Sequence, residues 1–275
     1  MRLYLPIPLE FIRRIPAIIL ILIAADVLPA AEVSTDSETT AADQLKQLSD
    51  QTIIESRIVL DTEWDHFKDG AEEATWTLAG LWGWRVSEWQ DWAIRLKLPF
   101  VYERSNEASG HANIGGLGDI EVGTGTAFRL NSTWRTAGGV ELHADTASDP
   151  ALAEKVWRLK PFWGIAHDFT DWFTLTFTAE YNHSIAEQDN VVPHRYLELS
   201  LPGTIILPYD WSIFATHKTK IDFENGDRWT HTVDAGVAKR LPNVPVVLSA
   251  TLEESLNGDA KKFQANFTMT YYFEK

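Results

Sequence analysis

From Phe263 to Phe273 every second residue is apolar. Phe263, Ala265, Phe267, Met269, Tyr271 and Phe273 alternate with Gln264, Asn266, Thr268, Thr270 and Tyr272. A period of two sends successive side chains to opposite faces of a strand, so this segment has one greasy side and one polar side. The pattern recurs along the chain near residues 52–66, 73–86, 90–103, 119–131, 133–145, 155–168, 172–185, 194–206, 209–221, 229–241, 245–256 and 262–273. Each segment is long enough to cross a bilayer, for which a tilted strand needs about 9–11 residues. The expected fold is all-β: a transmembrane antiparallel up-and-down barrel of about twelve strands, with lipid outside and water or packed polar groups inside.

The links agree. Those after even-numbered strands are tight: Ser87-Glu88-Trp89, Ser132, Phe169-Thr170-Asp171, Leu207-Pro208 and Pro242-Asn243-Val244. Those after odd-numbered strands are longer: Phe67 to Glu72, Arg104 to Gly118, Thr146 to Glu154, Ala186 to Pro193, Asp222 to Arg228 and Asn257 to Lys261. Short turns on the periplasmic side and longer loops outside are the rule for outer-membrane barrels. The parity places both termini in the periplasm of a Gram-negative cell. Aromatics repeat the division. Trp84, Trp89, Trp92, Trp134, Trp172, Tyr209, Trp211 and Tyr271 fall near the turn ends of the strands. Trp64, Trp76, Tyr102, Trp157, Tyr181, Tyr196 and Trp229 fall near the loop ends, with Trp82 and Trp163 mid-strand. Rings that bury a body and wet an edge favour the two membrane interfaces.

Before the barrel, residues 1–31 read as a secretory signal. Arg2, Arg13 and Arg14 precede an apolar run from Ile15 to Ala25, and Ala30 and Ala31 offer the cleavage site. Residues 32–51 read as a polar periplasmic extension in which Ala41 to Leu48 forms a short helix, and residues 52–273 as the barrel. The mean hydropathy of −0.17 excludes a helical membrane protein but not a barrel, whose lumen and loops dilute its lipid face. The chain has no cysteine, which excludes disulfides and thiolate metal sites. A net charge of −15 argues against a nucleic-acid partner.

Gly115-Gly116-Leu117-Gly118-Asp119 leads into a strand, and the glycine pair Gly138-Gly139 follows. Then come Ala144-Asp145-Thr146, Trp157-Arg158-Leu159-Lys160-Pro161 and Tyr181-Asn182-His183-Ser184. In this order, from about Ile114 to Phe273, the chain resembles the MetA-pathway of phenol degradation family of outer-membrane proteins. Members usually carry Pro-Thr-Gly where this chain has His143 to Thr146. The resemblance implies an outer-membrane transporter near aromatic-compound catabolism and brings no catalytic residue or cofactor. By themselves the glycines let a long loop turn sharply into a strand. A nucleotide-binding fingerprint would need a strand before them and a helix after.

If the apolar faces point outward, the alternate residues line the lumen. Arg85, Arg95, Lys97, Arg129 and Arg135 then lie toward the turn ends of four consecutive strands, with Arg158 and Lys160 farther along. Glu121, Glu141, Glu180, Glu198, Asp210, Asp234 and Glu253 lie higher or on other walls. One side of the lower lumen is therefore expected to be basic, facing carboxylates elsewhere. Such charges either select a solute at a constriction or pair into a network that fills the interior. The candidate lumen set is Arg85, Arg95, Lys97, Arg129, Arg135, Arg158, Lys160, Glu141, Glu180 and Glu198.

The function that fits is passive passage of small solutes, aromatic or hydrophobic ones by resemblance. A closed structural or adhesion barrel is the alternative, and an outer-membrane lipid hydrolase a lesser one. No His-x-Ser occurs, His183 and Ser184 are adjacent and so face oppositely, and no serine is placed to complete a triad with His143 and Asp145. No cofactor is expected. Asp69, Glu72, Glu73, Asp222, Glu224 and Asp227 read as solvated loop charge in preference to a Ca²⁺ or Mg²⁺ site. The expected partners are membrane lipid, lipopolysaccharide, the barrel-insertion machinery, which would read Tyr271 and Phe273 ahead of Glu274 and Lys275, and a small solute.

Overall fold

Among the described residues antiparallel pairing runs from each wall strand to the next and closes on itself. The computed structural model describes residues 41–68, 70–104, 114–189, 191–257 and 261–273. The expected signal (1–31), the first part of the extension (32–40), Asp69, residues 105–113 with His111, and Glu274 and Lys275 lie outside the described residues. Among the described residues one helix, α1 (Ala41–Lys46), precedes β1 (Arg57–Phe67), β2 (Glu72–Ser87), β3 (Gln90–Arg104), β4 (Ile114–Leu117), β5 (Ile120–Arg129), β6 (Trp134–Ala144) and β7 (Val156–Thr170). Then follow β8 (Phe173–Glu187), β9 (Arg195–Leu207), β10 (Trp211–Asp222), β11 (Arg228–Arg240), β12 (Val246–Asn257) and β13 (Lys261–Tyr272).

The barrel closes through β1 and β13, which pair from Arg57 opposite Tyr272 to Asp65 opposite Gln264. Closure leaves no sheet edge and satisfies the backbone within the wall, as a lipid environment demands. Both β4 and β5 pair with β3, Gly116 opposite Val101 and Gly123 opposite Arg95. They are two lengths of one wall strand broken at Gly118-Asp119, so the thirteen segments make a closed twelve-stranded antiparallel barrel. At the break the Asp119 carboxylate accepts the backbone N–H of Thr146 (2.8 Å), Ala147 (2.9 Å) and Glu154 (2.8 Å). It staples the β6–β7 loop against the gap. The glycines before it do not turn sharply: neither Gly115, Gly116 nor Gly118 has a positive φ, and Gly115 to Leu117 are extended strand.

The register puts the expected apolar residues outside. Trp76, Leu78, Trp82, Trp84, Ile94, Phe100, Trp163, Leu201, Leu252, Met269 and Tyr271 are all exposed on the outer face. Tyr196 is the exception to the expected outer ring of aromatics. It shares the inner face with Glu198, and the Lys220 Nζ lies 4.1 Å from its ring centroid. Asp210 is not on a wall at all. With Tyr209 it forms the β9–β10 turn, at φ of 58° and 62°.

β2, β3, β7 and β8 run slightly longer than the periodicity indicates, so the contrast in link length is softer. Phe67 and Glu72 end strands joined by a short link, while residues 241–245 make one of the longer turns at the opposite end. The first strand departs most. Expected from residue 52, it begins at Arg57, and residues 52–56 go elsewhere.

Candidate functional site

Residues 41–56 run inside the barrel, across the end that carries the short turns. Leu45 of α1 is fully buried against Ala238, Val247 and Tyr272, with Ile206 and Phe214 beside them. Polar contacts fix the segment around it. The Tyr272 hydroxyl donates to the Gln44 carbonyl (2.9 Å), and Arg240 Nε donates to Gln44 Oε1 (2.8 Å). Lys46 Nζ reaches Asp168 (3.2 Å), and Ser49 bonds to Thr204. Asp50, 1% exposed, accepts from the backbone N–H of Thr52 (2.8 Å) and from Arg135 Nη2 (2.9 Å). Ile54 lies over Gly83, where an added Cβ would come within 2.5 Å of it. The stretch expected as a periplasmic extension is, from residue 41 onward, an internal plug. Its signal was an apolar set, Ile206, Phe214, Ala238 and Val247, at inward positions of an otherwise polar lumen.

Every expected basic residue lies on an inward position, but the basic wall is not bare. Arg95 is paired with Glu141. Lys97 lies 2.8 Å from Glu121, and Lys160 lies 3.2 Å from Glu121, 3.6 Å from Glu141 and 3.9 Å from Glu180. The carboxylates stand on β5, β6 and β8, interleaved with the cations, not across the lumen as expected. Nearer the turns, Asp91 holds Arg129 (2.5 Å) and Arg85 (3.5 Å), and Arg135 is gripped by Asp168 as well as Asp50. Toward the loops, Arg158 pairs with Glu154 (2.7 Å) and donates to His194 Nδ1 (2.6 Å). Glycine leaves room for the cluster at Gly123, where an added Cβ would stand 2.8 Å from the Glu141 side chain. A Cβ on Gly139 would stand 2.3 Å from the Thr124 carbonyl and 2.7 Å from the Phe162 ring.

The opposite arc, β8 through β13 and β1, encloses a cavity of about 420 Å³ whose floor is Gln47 to Gln51 of the plug. Its wall carries hydroxyls from Ser200, Thr216, Ser249 and Thr251, and the aromatic rings of Phe214 and Tyr272. Lys218 is held by Glu253 (2.6 Å) and Asp234 (3.1 Å). Glu198 and Arg57 also line this space. Among the described residues neither makes a side-chain hydrogen bond or ion pair, and Arg57 Nη1 is buried without a partner. A smaller cavity of about 70 Å³ lies between Arg57, Arg95 and Phe162. Sequence reasoning placed Glu198 in the lumen and missed Arg57, which had been counted inside a strand without a role.

Other candidates resolve into structure. His143 lies on the inner face near Asp119 (3.4 Å), Glu121 (3.5 Å) and Glu154 (3.6 Å), while Asp145 accepts from Gln188 (2.7 Å). His183 faces outward, stacked on Tyr181, and Ser184 faces inward, accepting the His194 backbone N–H. Asp222 caps its own loop through the backbone N–H of Glu224 (3.1 Å), and Glu224 pairs with Arg195 (3.3 Å). Among the described residues no group of three or more His, Asp or Glu is gathered to hold a metal ion.

No family model matches the chain. No curated protein matches it either. Solved structures do. The COG4313 outer membrane channel from Pseudomonas putida F1 superposes with a TM-score of 0.68 at 16% identity, over 88% of this chain and 100% of that one. The CymD monoaromatic hydrocarbon channel gives 0.54 at 9% identity, over 90% and 95% of the two chains. The KdgM porin gives 0.54 at 10% identity, over 79% and 99%. At such identities the likeness is one of fold: a barrel of the kind that outer-membrane channels use.

Proposed function

We propose that this protein is a passive channel of the Gram-negative outer membrane, its short turns and plug toward the periplasm. The observation that carries the reading is a hydrophilic chamber enclosed by a barrel whose outside is apolar and ringed with Trp and Tyr. Such a surface is unstable in water and stable in lipid, and a polar interior of this size has little use in a merely structural wall. The neighbours in fold, titled as channels and porins, support it. A cleaved signal over residues 1–31, lipopolysaccharide around the loop end, and assembly through the barrel-insertion machinery belong to the same reading. So does membership of the MetA-pathway family.

That family implies aromatic or hydrophobic cargo. The chamber's hydroxyls and charges favour a hydrophilic solute instead. The plug would act as the gate, since the chamber cannot continue toward the turn end while Gln47 to Gln51 form its floor.

Reconstitution tests the proposal. Purified protein in planar bilayers should conduct, and liposomes containing it should swell in small hydrophilic solutes. A folded barrel that neither conducts nor admits any solute overturns it. A closed structural barrel is the second reading, favoured by the buried contacts that lock the plug. It predicts that deleting residues 41–54 still leaves the bilayer silent.

A further inference from the structure

Two opposite charges stand in the same chamber without partners among the described residues. Arg57, the first residue of β1, lies at the turn end beside the plug. Its Nη1 is buried without a hydrogen-bond partner, and Glu55 of the plug acts on it through space. Arg95, itself paired with Glu141, adds positive potential from the neighbouring wall. Glu198, on β9 near the loop end, faces the other end of the space without a hydrogen bond or ion pair among the described residues. Lys218 does not neutralise that end, because Asp234 and Glu253 already hold it and leave the trio one charge negative. The chamber is thus positive at its floor and negative at its rim.

An unpaired guanidinium buried away from water is costly, and a carboxylate bonded in its fork removes the cost. The same holds, more weakly, for a carboxylate offered an ammonium group. Between the two ends the wall presents the hydroxyls of Ser200, Thr216, Ser249 and Thr251, each able to donate and accept. The volume of about 420 Å³ lies within the ~300–1,000 Å³ of sites that take small molecules.

We propose that this chamber binds a small extended zwitterion, a short peptide in its free form, with its carboxylate on Arg57, its ammonium on Glu198 and its amide groups on the hydroxyl wall. A hydrocarbon satisfies none of these groups. A simple anion meets Glu198 and the net negative trio of Lys218, Asp234 and Glu253 at the rim, and a simple cation leaves Arg57 unpaired. The inference rests on the channel reading only for the ligand's route in, and binding is measured separately from passage.

The test is calorimetric titration of the full-length barrel in detergent with trialanine, N-acetyl-trialanine, which lacks the ammonium, and trialanine amide, which lacks the carboxylate. Trialanine should bind about tenfold or more tightly than either analogue, the loss expected for one charge-assisted hydrogen bond. Glu198→Gln should erase the preference over the acetylated peptide, and Arg57→Gln the preference over the amide, while Arg57→Lys keeps part of it. Folding of each variant is checked by heat-modifiable mobility on gels. If Arg57 variants do not fold, the wild-type panel and Glu198→Gln decide. Equal binding of all three peptides, no binding of trialanine, or preferences that survive in the variants would overturn the proposal. Conductance without discrimination sinks the peptide site and leaves the channel. Discrimination without conductance does the reverse.

Discussion

The Arg135 guanidinium on the barrel wall and the Asp50 carboxylate of the internal segment meet at 2.9 Å, with Asp50 almost wholly buried. The pair joins a strand to the chain that blocks the barrel, 85 residues earlier in sequence. Thr52 and Asp168 complete the grip on Arg135.

Asp50→Ala removes a buried charge-assisted hydrogen bond, worth about 1.5–3 kcal/mol, and leaves Arg135 to Asp168 alone. Asp50→Ala should therefore loosen the plug more than it weakens the wall, whose strands keep their pairing. Single-channel recordings are expected to show more frequent or larger openings than wild type. Deleting residues 41–54 should give the largest conductance of the series. Unchanged current in both variants would mean that the segment does not control passage.

Glu121 and Glu141 compensate Arg95, Lys97 and Lys160 on one wall. Substituting both by Gln leaves three cations with only Glu180, 3.9 Å from Lys160, as counter-charge, so reversal potentials in a salt gradient should move toward anion preference. Neutralising Arg95, Lys97, Arg129 and Arg135 together should move them the opposite way. A selectivity indifferent to both changes would make the wall purely structural.

How far the sequence discloses this molecule depends on the range of the interaction. Alternation such as Phe263 to Phe273 is a local property of one strand, and it placed the strands to within a few residues and identified their lipid faces. The inward positions of Arg95, Lys97 and Lys160 followed by parity alone. Their partners did not. Glu121 and Glu141 sit beside them through the register of β3, β5, β6 and β7, and register is set by pairing across strands, which one strand's pattern does not carry. The plug was hidden for a related reason. Leu45 is one apolar residue in a polar stretch, and its burial depends on Ala238 and Val247, some two hundred positions away. The β4–β5 break was visible only as a glycine cluster, because the Asp119 staple to a distant loop decides what those glycines do.

Close approach across β5 and β6 gives a prediction with an internal control. A methyl on Gly139 would meet the Thr124 backbone carbonyl at 2.3 Å, and backbone cannot step aside cheaply. A methyl on Gly203 would meet nothing nearer than Leu175 Cδ1 at 3.6 Å. Gly139→Ala should lose about 1–3 kcal/mol, as overpacked sites do, whereas Gly203→Ala should stay near wild type. Urea unfolding in lipid vesicles measures both.

Lys218 holds two carboxylates at once, Glu253 at 2.6 Å and Asp234 at 3.1 Å. Lys218→Met strands both in the chamber wall and should destabilise by about 1–3 kcal/mol. The triple variant Lys218→Met, Asp234→Asn, Glu253→Gln removes the charges together and should recover most of that loss. If it does not, the trio's contribution lies in packing and not in charge.

Acidification should act at the loop end through His194. Burial, with help from Arg158, holds this imidazole below its ordinary value against the pull of Glu154, while Lys220 and His143 also oppose its protonation. Arg158 donates to His194 Nδ1, which accepts only while that nitrogen is unprotonated. A histidine that is harder to protonate folded than unfolded contributes stability at neutral pH. That contribution begins to fall as the pH drops below the unfolded value of about 6.5 and is progressively lost toward the lower folded value. The wild-type barrel should therefore lose more heat resistance between pH 7.5 and pH 5 than His194→Gln, whose amide does not titrate. Gel-mobility melting curves of the two proteins across about that range provide the comparison. A His194→Gln barrel with the full wild-type pH dependence would place the acid sensitivity elsewhere.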